Sequence, residues 1–403
     1  MTDFTVVGGG VAGLVVARRL ALGGRSVTLI EASDRLGGTV ASHLVGGVDL
    51  DAGAESFATR RGSVAALATE LGLADDIVSP APAGAWLQPA SGAAVPLPAA
   101  GVLGIPGTPL AADVIAVVGL RSALRAQLDL IIPSLYARKD LTLGAFVRRR
   151  MGRGVLDRLV APVVHGVHSV HPDDLPLDRA VPGLRAALLR DGSLAAAVRS
   201  LRADAPAGSA VQGIRGGVHR LVTELAADLV TLGVDIQLGR RVTSTEGLDG
   251  TVVLAVPLNA PPGRAVVLAT LVLDAPELDA APRGSGVLVA DGAPGVHARA
   301  LTHSTAKWPW LAERAAGRHV VRLSYDVSAA AGEPAALEAV ALQDASALLG
   351  VALPDSSVRG FARVQWIRPA ASTEAHVGET VAGSGLAGIV RQAEEYAAGL
   401  LDG

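Results

Sequence analysis

The stretch "DFTVVGGGVAGLVVARRLALGGRSVTLIEASDRLGG", Asp3 to Gly38, decides the fold. Four residues, Phe4–Val7, read as a short strand that runs straight into glycines. Gly8, Gly10 and Gly13 keep the G-x-G-x-x-G spacing. The first glycine permits a tight turn, the second lets a pyrophosphate approach the backbone, and the third lets helix and strand touch. A helix over Val11–Leu22 then offers Val11 and Ala12 amides to the phosphates. "SVTLIE" is the second strand, with Glu31 at its end, where a carboxylate can accept both hydroxyls of a ribose. Alone, a G-x-G-x-x-G is a weak signal. Here a strand precedes it, a helix follows, and an acid stands at the required distance, so the unit predicts a dinucleotide site.

The bulk properties bound the alternatives. At 403 residues, half of them hydrophobic, the chain is long enough for two or three lobes and too apolar for wholesale disorder. Its mean hydropathy of +0.42 comes from Ala, Val and Leu spread through polar text. The longest apolar stretch, "TVVLAVPLNAPPGRAVVLATLVL", is broken by Asn259, two prolines and Arg264, short of the roughly 18–20 residues that a spanning helix needs. A soluble protein is expected, without signal peptide and cytoplasmic. There is no cysteine, which excludes disulfides, thiolate metal sites, a cysteine nucleophile and flavin attachment through sulfur. A net charge of −3 with scattered basic residues asks for no nucleic acid.

The residues after Glu31 choose the dinucleotide. "EASDRLGGTV" carries Ala32, Arg35, Gly37, Gly38 and Thr39, and resembles the E-A-x-x-R-x-G-G extension of the flavoproteins that include amine oxidases, phytoene desaturases and porphyrinogen oxidases. The resemblance implies FAD rather than NAD, with this segment around the pyrophosphate. "VDLDAGAESF" is similar to the next flavin-facing turn of that group, which implies Gly53, Ala54, Glu55 and Ser56 near the ring. "GETVAGSGLAGIVRQAEEYAAGLL" reads as a strand, a turn at Gly383 and Gly385, and a closing helix from Leu386; in the group it returns to the flavin. "GGVHRLVTELAADLVTLGVDIQLGRRVTSTE" reads as helix, strand and polar turn, with Val242 at the position of an adenine contact.

In the middle of the chain the resemblance narrows to the porphyrinogen oxidases. Phe146, Arg149 or Arg150, Gly152, Pro162, Gly166, Asp174 and Leu175 fall in register with that pattern within a helical stretch from Asp113 to Arg202. "THSTAKWPWLA" resembles the S-x-K-W-P turn through Ser304, Lys307, Trp308 and Pro309, and "RVQWIRPA" resembles the approach to the last flavin segment through Trp366. The chain departs from the pattern at His168 and Val170, where the family has Tyr and Gly.

The expected fold class is therefore α/β: a Rossmann-like FAD-binding domain of the amine oxidase/porphyrinogen oxidase type, with a mixed-sheet substrate domain and a helical insertion. The expected boundaries are 1–75, 208–262 and 374–403 for the discontinuous FAD domain, 80–110 and 263–373 for the sheet domain, and 111–207 for the insertion. The resemblance implies oxidation of coproporphyrinogen III to coproporphyrin III in haem biosynthesis. Six electrons leave through FAD, O2 is the acceptor, and hydrogen peroxide is released. Flavin N5 carries the chemistry, so no catalytic side chain is assigned. Propionates need cations, and Arg60, Arg61 and Lys307 are the candidates, with His168 at the cavity wall. Protoporphyrinogen IX, another amine oxidase or desaturase substrate, and a binding scaffold or inactive member are the alternatives. A ferrochelatase-type partner and peripheral membrane contact stay open.

"APVVHGVHSVHPDDL" sets His165, His168 and His171 three residues apart. On one helix they would share a face. Pro162 and Pro172 bracket them, however, and predict a helix end or loop, so packing and hydrogen bonding are favoured over a proton relay, and no metal is expected.

Overall fold

The computed structural model describes residues 2–59, 62–98, 101–133, 140–168, 170–203, 211–330, 333–369, 372–383 and 385–403, without the side chains of 168, 262, 264, 368 and 369. Arg60 and Arg61 lie outside these residues, as does the side chain of His168. The chain divides into two compact units, one of 1–80, 208–266 and 364–403, the other of 81–207 and 267–363.

The first unit is built on a parallel sheet. Strand β1 (Phe4–Val7) sits between β2 (Val27–Ile30) and Thr251–Leu254, and Asp235–Gln237 extends the sheet beyond β2. Phe4 aligns with Val27 on one side and Thr251 on the other. β1 and β2 are buried along their whole length, as expected for parallel strands covered on both faces. Helix α1 (Val11–Leu22) packs against the closing helix Leu386–Asp402 and the helix Arg220–Thr231, and shares one core with the sheet. One cation is buried in this apolar surface. Arg18 donates to Glu70 at 2.7 Å and Asp228 at 2.8 Å, so helices Ser63–Glu70 and Arg220–Thr231 are tied to α1 by charge as well as by packing.

Two expected strands differ. The apolar run Thr251–Leu258, which reads in the sequence as a buried strand, is a strand only to Leu254. Beyond it Pro257 has no N–H to pair, and His376 takes over the edge: its Nδ1 accepts from Leu254 N at 3.2 Å, while its own N–H donates to Leu254 O at 2.8 Å. The strand expected before Gly383 is a short helix, Glu379–Ala382. Glycines with positive φ stand on either side, Gly378 at 107° and Gly383 at 87°, and confine it to one turn.

The second unit carries a seven-stranded mixed sheet in the order Val358–Pro369, Pro262–Leu273, His319–Asp326, Ala300–His303, Gly286–Val289, Trp86–Gln88, Val95–Pro96. Helix Pro334–Leu349 buries Leu337, Leu348 and Leu349 in a core shared with this sheet. Helices between Ala112 and Ala203 form another core around Phe146, Met151, Leu156 and Leu184. At its centre Arg150 is fully buried and bonded to buried Asp129 at 2.6 Å, with the carbonyls of Ile132 and Pro133 taking Nη1. Arg150, one of the two arginines matched to the family pattern, is thus an internal brace. Arg149 pairs with Asp140 at 2.8 Å.

Pro162 does not end its helix. Residues Leu156–Val160 form a π-helical stretch, and Ala161–His168 continues as α-helix. The wider turn accommodates a proline that could neither donate nor fit against a regular preceding turn. Among the described residues, no helix is long and apolar enough to cross a membrane.

Candidate functional site

The three glycines of the front motif differ in their surroundings. Gly8 turns at φ 109°. A Cβ on Gly13 would lie 1.9 Å from the carbonyl oxygen of Gly8, so helix and strand approach at a distance only glycine allows. A Cβ on Gly10 would meet nothing within 4 Å. The loop is therefore packed on one side and open on the other, at the N-terminus of α1. That first turn has no acidic residue and no side-chain cap, which leaves its amides and partial positive charge for an anion.

Gly9 was not singled out by its spacing, yet it organises the neighbourhood. Its N–H donates to Glu31 Oε2 at 2.6 Å, and a Cβ there would press on Leu36 at 2.7 Å. Ser33, also unforeseen, holds the other oxygen of Glu31 through its N–H and its hydroxyl, both at 2.8 Å. The carboxylate is thus fixed at the end of β2 before any ligand arrives, with lone pairs to spare. The unbroken run of three glycines was the only local signal for Gly9.

The extension from Ala32 to Thr39 folds back over this loop. Gly37 donates to Gly9 O at 2.8 Å, and Gly37 and Gly10 form a parallel bridge. A Cβ on Gly38 would touch Gly10 Cα at 3.5 Å. Arg35 donates to Gly38 O at 3.0 Å and sits 5.7 Å from the ring centroid of Trp366. Trp366 in turn donates from Nε1 to Ala52 O at 3.0 Å, next to Gly53, whose missing Cβ would collide with Thr39 O at 1.9 Å. So Glu31, Arg35, Gly37, Gly38, Thr39, Gly53 and Trp366 are brought together around the glycine loop. Ala54, Glu55 and Ser56 continue the turn after Gly53, all half-buried, and Ala32 is exposed beside Glu31.

The C-terminal segment reaches the same end of α1. Gly378 faces Ala255 O and Ala12 Cβ, at 2.9 and 3.8 Å from its would-be Cβ. Gly383 and Gly385 then lead into the helix from Leu386, whose N-terminus is capped by Gly385 at φ 122°. Val242 lies in irregular chain after Asp235–Gln237 and is half-buried. Its segment is anchored to the Glu31 turn, with Gly239 N on Ser33 O at 2.8 Å and Arg240 N on Glu31 O at 2.9 Å.

The substrate-side candidates are scattered by comparison. Lys307 ends the turn Ser304–Lys307 and lies 5.0 Å from the centroid of the buried Trp308 ring. His165 and His171 approach edge to face at 5.7 Å. His171 caps the turn Pro172–Asp174 by accepting from Asp173 N at 3.2 Å, and His165 Nδ1 is 3.9 Å from Asp291. Among the described residues, no group of three or more His, Asp or Glu is arranged to hold a metal.

Residues 11–283 match the family of flavin-containing amine oxidoreductases. A coproporphyrinogen III oxidase of Mycobacterium bovis is 31% identical over 390 residues, spanning 89% of this chain and 84% of that protein. One from Propionibacterium freudenreichii is 33% identical over 180 residues, 45% of this chain but only 34% of its own length. Among solved structures, an Exiguobacterium sp. 255-15 protein provisionally assigned as a protoporphyrinogen oxidase shares the fold with a TM-score of 0.80 at 21% identity, covering 99% of this chain and 98% of that one. A putrescine oxidase aligns with a TM-score of 0.67 at 16% identity over 100% and 99% of the two chains. With a glycine loop, a carboxylate fixed at the end of β2, a family match over residues 11–283 and a relative aligned over most of both chains, the chain belongs to the flavin-containing amine oxidoreductases, in their porphyrinogen oxidase group.

Proposed function

We propose that the protein is an FAD-dependent coproporphyrinogen III oxidase that converts its substrate to coproporphyrin III with O2 as acceptor and hydrogen peroxide as by-product. The observation that carries this reading is the likeness to the mycobacterial coproporphyrinogen III oxidase over nine-tenths of the chain. The cradle supports it. Gly8, Gly10, Val11, Ala12 and Gly13 would receive the diphosphate, Glu31 the ribose, and Arg35 with Gly37 to Thr39 the far side of the diphosphate. The turn from Gly53 to Ser56, Trp366, and the segment Gly383–Leu386 would hold the ring, and Val242 the adenine.

When bound, FAD supplies the hydride acceptor and passes the electrons to oxygen. The protein's part is positioning. Glu31, fixed by Gly9 and Ser33, orients one end of the cofactor without reorganisation. The open face at Gly10 admits the phosphates to the α1 amides. The positive end of helix Leu386–Asp402 favours negative charge on the ring. Lys307, stacked on Trp308, is suited to a substrate carboxylate. A cytoplasmic location and product transfer to a ferrochelatase-type acceptor go with this reading.

The test is direct. The purified protein should be yellow, release FAD on denaturation, and generate porphyrin fluorescence and peroxide faster from coproporphyrinogen III than from protoporphyrinogen IX. A reversed preference would move the substrate to protoporphyrinogen. Yellow protein inert towards both would overturn the assignment.

A further inference from the structure

Within the first unit, a carboxylate outside the cradle ties the chain that enters it to a core helix. Asp51 ends the strand Val48–Asp51, two residues before Gly53, and its side chain is 7% exposed. Its Oδ2 accepts from Val218 N at 2.9 Å. Its Oδ1 accepts from His219 N at 2.9 Å and from His219 Nδ1 at 2.8 Å. An ionised carboxylate only accepts, so the imidazole carries a proton on Nδ1. The other ring nitrogen faces Asp49 Oδ2 at 3.5 Å. Gly217, at φ 113°, makes room for the ring: a Cβ there would lie 2.4 Å from His219 Nδ1. The helix Arg220–Thr231 starts here with no acid in its first turn and no bond from its own N-cap side chain. Asp51 supplies the acceptor and the negative charge from another element.

The two ends of this tie are held unequally. The helix buries Leu221, Leu225 and Leu229 completely in the core of the unit, and its Val222 backs Gly37, whose Cβ would meet Val222 Cγ1 at 2.9 Å. The strand of Asp51, in contrast, pairs only with Ser42–Val45 among the described residues. Val48 and Leu50 on it are buried, but Leu44 opposite is 73% exposed, and a two-stranded ribbon is marginal by itself in water. Ala52 N donates to Ala41 O at 2.7 Å, at the base of the same hairpin. Beyond Ala52 the chain enters the turn Gly53–Ser56. Asp51 therefore joins a lightly held hairpin, and the turn that follows it, to a firmly packed helix.

We infer that Asp51 and His219 are positioning residues for FAD, holding the turn Gly53–Ser56 in the arrangement that receives the ring. This rests on the reading above that the turn faces the flavin. The pair acts through the turn, and no step of the reaction passes through it. Without the tie, the folded apoprotein keeps the turn in place for only part of the time, and apparent affinity falls by the fraction that stays competent. Gly8 to Gly13 and Glu31 stand on β1, α1 and β2, which share the core and do not hang from the hairpin. The loss should therefore fall on the ring half of the cofactor and spare the adenosine diphosphate half.

The test titrates FAD and ADP separately into the apoproteins of the parent, Asp51→Asn, His219→Leu and His219→Asn. Asparagine at 51 offers one oxygen in place of two and turns an N–H towards a backbone donor. Asparagine at 219 places its amide nitrogen where Nδ1 stands and still donates to Asp51; leucine cannot. FAD should bind on the order of 100-fold more weakly to D51N and on the order of 10-fold more weakly to H219L, the range for lost hydrogen bonds to a charged group. H219N should stay within about 3-fold of the parent, less than one such bond, and ADP affinity should be unchanged in all three. Equal losses for ADP and FAD mean that the pair holds the fold and not the turn, and overturn the role. FAD affinities of D51N and H219L that match the parent overturn it too, as does H219N binding as weakly as H219L. If D51N does not fold, the two His219 variants decide alone. A parent that takes up ADP but no FAD removes the flavin reading, and this role with it.

Discussion

Removing the carboxylate of Asp129 isolates the most deeply buried cation among the described residues. The side chains of Arg150 and Asp129 are 0% and 1% exposed, and their contact is 2.6 Å. In Asp129→Ala the guanidinium keeps its bonds to the carbonyls of Ile132, Pro133 and residue 129, but loses the only charge partner it has among the described residues. Ala195 N loses its acceptor as well, Asp129 Oδ2 at 3.0 Å. Orphaning one member of a buried pair costs about 3–5 kcal/mol. With a urea m-value of about 3 kcal/mol/M, a loss of about 4 kcal/mol lowers the midpoint by about 1.3 M. Tryptophan fluorescence is the natural probe, because Trp86, Trp308 and Trp310 all lie in the second unit. Replacing both partners, Asp129→Leu with Arg150→Met, removes the stranded charge and should recover most of the loss. If D129A shifts the midpoint by less than about 0.3 M, or the double variant is no better than D129A, Arg150 is not braced as described.

Further consequences concern the cradle and the buried histidine. Gly10→Ala should fold normally, since its Cβ meets no protein atom within 4 Å, yet purify with little flavin absorbance; Gly13→Ala, 1.9 Å from Gly8 O, should lose both flavin and stability. Glu31→Gln should weaken FAD binding by about 10- to 100-fold, the worth of a charge-assisted hydrogen bond or two, measured by titration of apoprotein. His303 titrates at about 4 in the folded chain against 6.5 unperturbed, so the unfolded state binds more protons between those values. Its contribution to stability should therefore be constant above about pH 6.5 and decline by about 3 kcal/mol as pH falls towards 4. In His303→Phe that part of the acid loss should vanish from the pH dependence of urea midpoints.

The cofactor end of the molecule was legible in the sequence because its demands are local. Gly8 and Gly13 answer separate steric requirements within six residues, Gly10 leaves the loop open between them, and Glu31 follows at the end of the next strand. Gly9 and Ser33 were missed because their work, holding Glu31, is visible only once the strand ends are in register. The turn Glu379–Ala382 was misread as a strand because four residues carry no helical period; only the flanking glycine conformations settle it. Of the three evenly spaced histidines, His171 serves as a cap, a role that its spacing did not mark. His303 and His319, 16 residues apart, left no such mark, since only strand pairing brings them together.

The interleaving of the first unit has a consequence for how the chain is made. β1 and β2 emerge from the ribosome early, but the strand Thr251–Leu254 that completes one side follows some 240 residues later, and helix Leu386–Asp402 last of all. At about 5–20 residues per second, the nascent cofactor domain waits tens of seconds with its apolar edge unpaired. Translation speed and chaperone supply, rather than the stability of the finished fold, should then set how much protein a cell obtains.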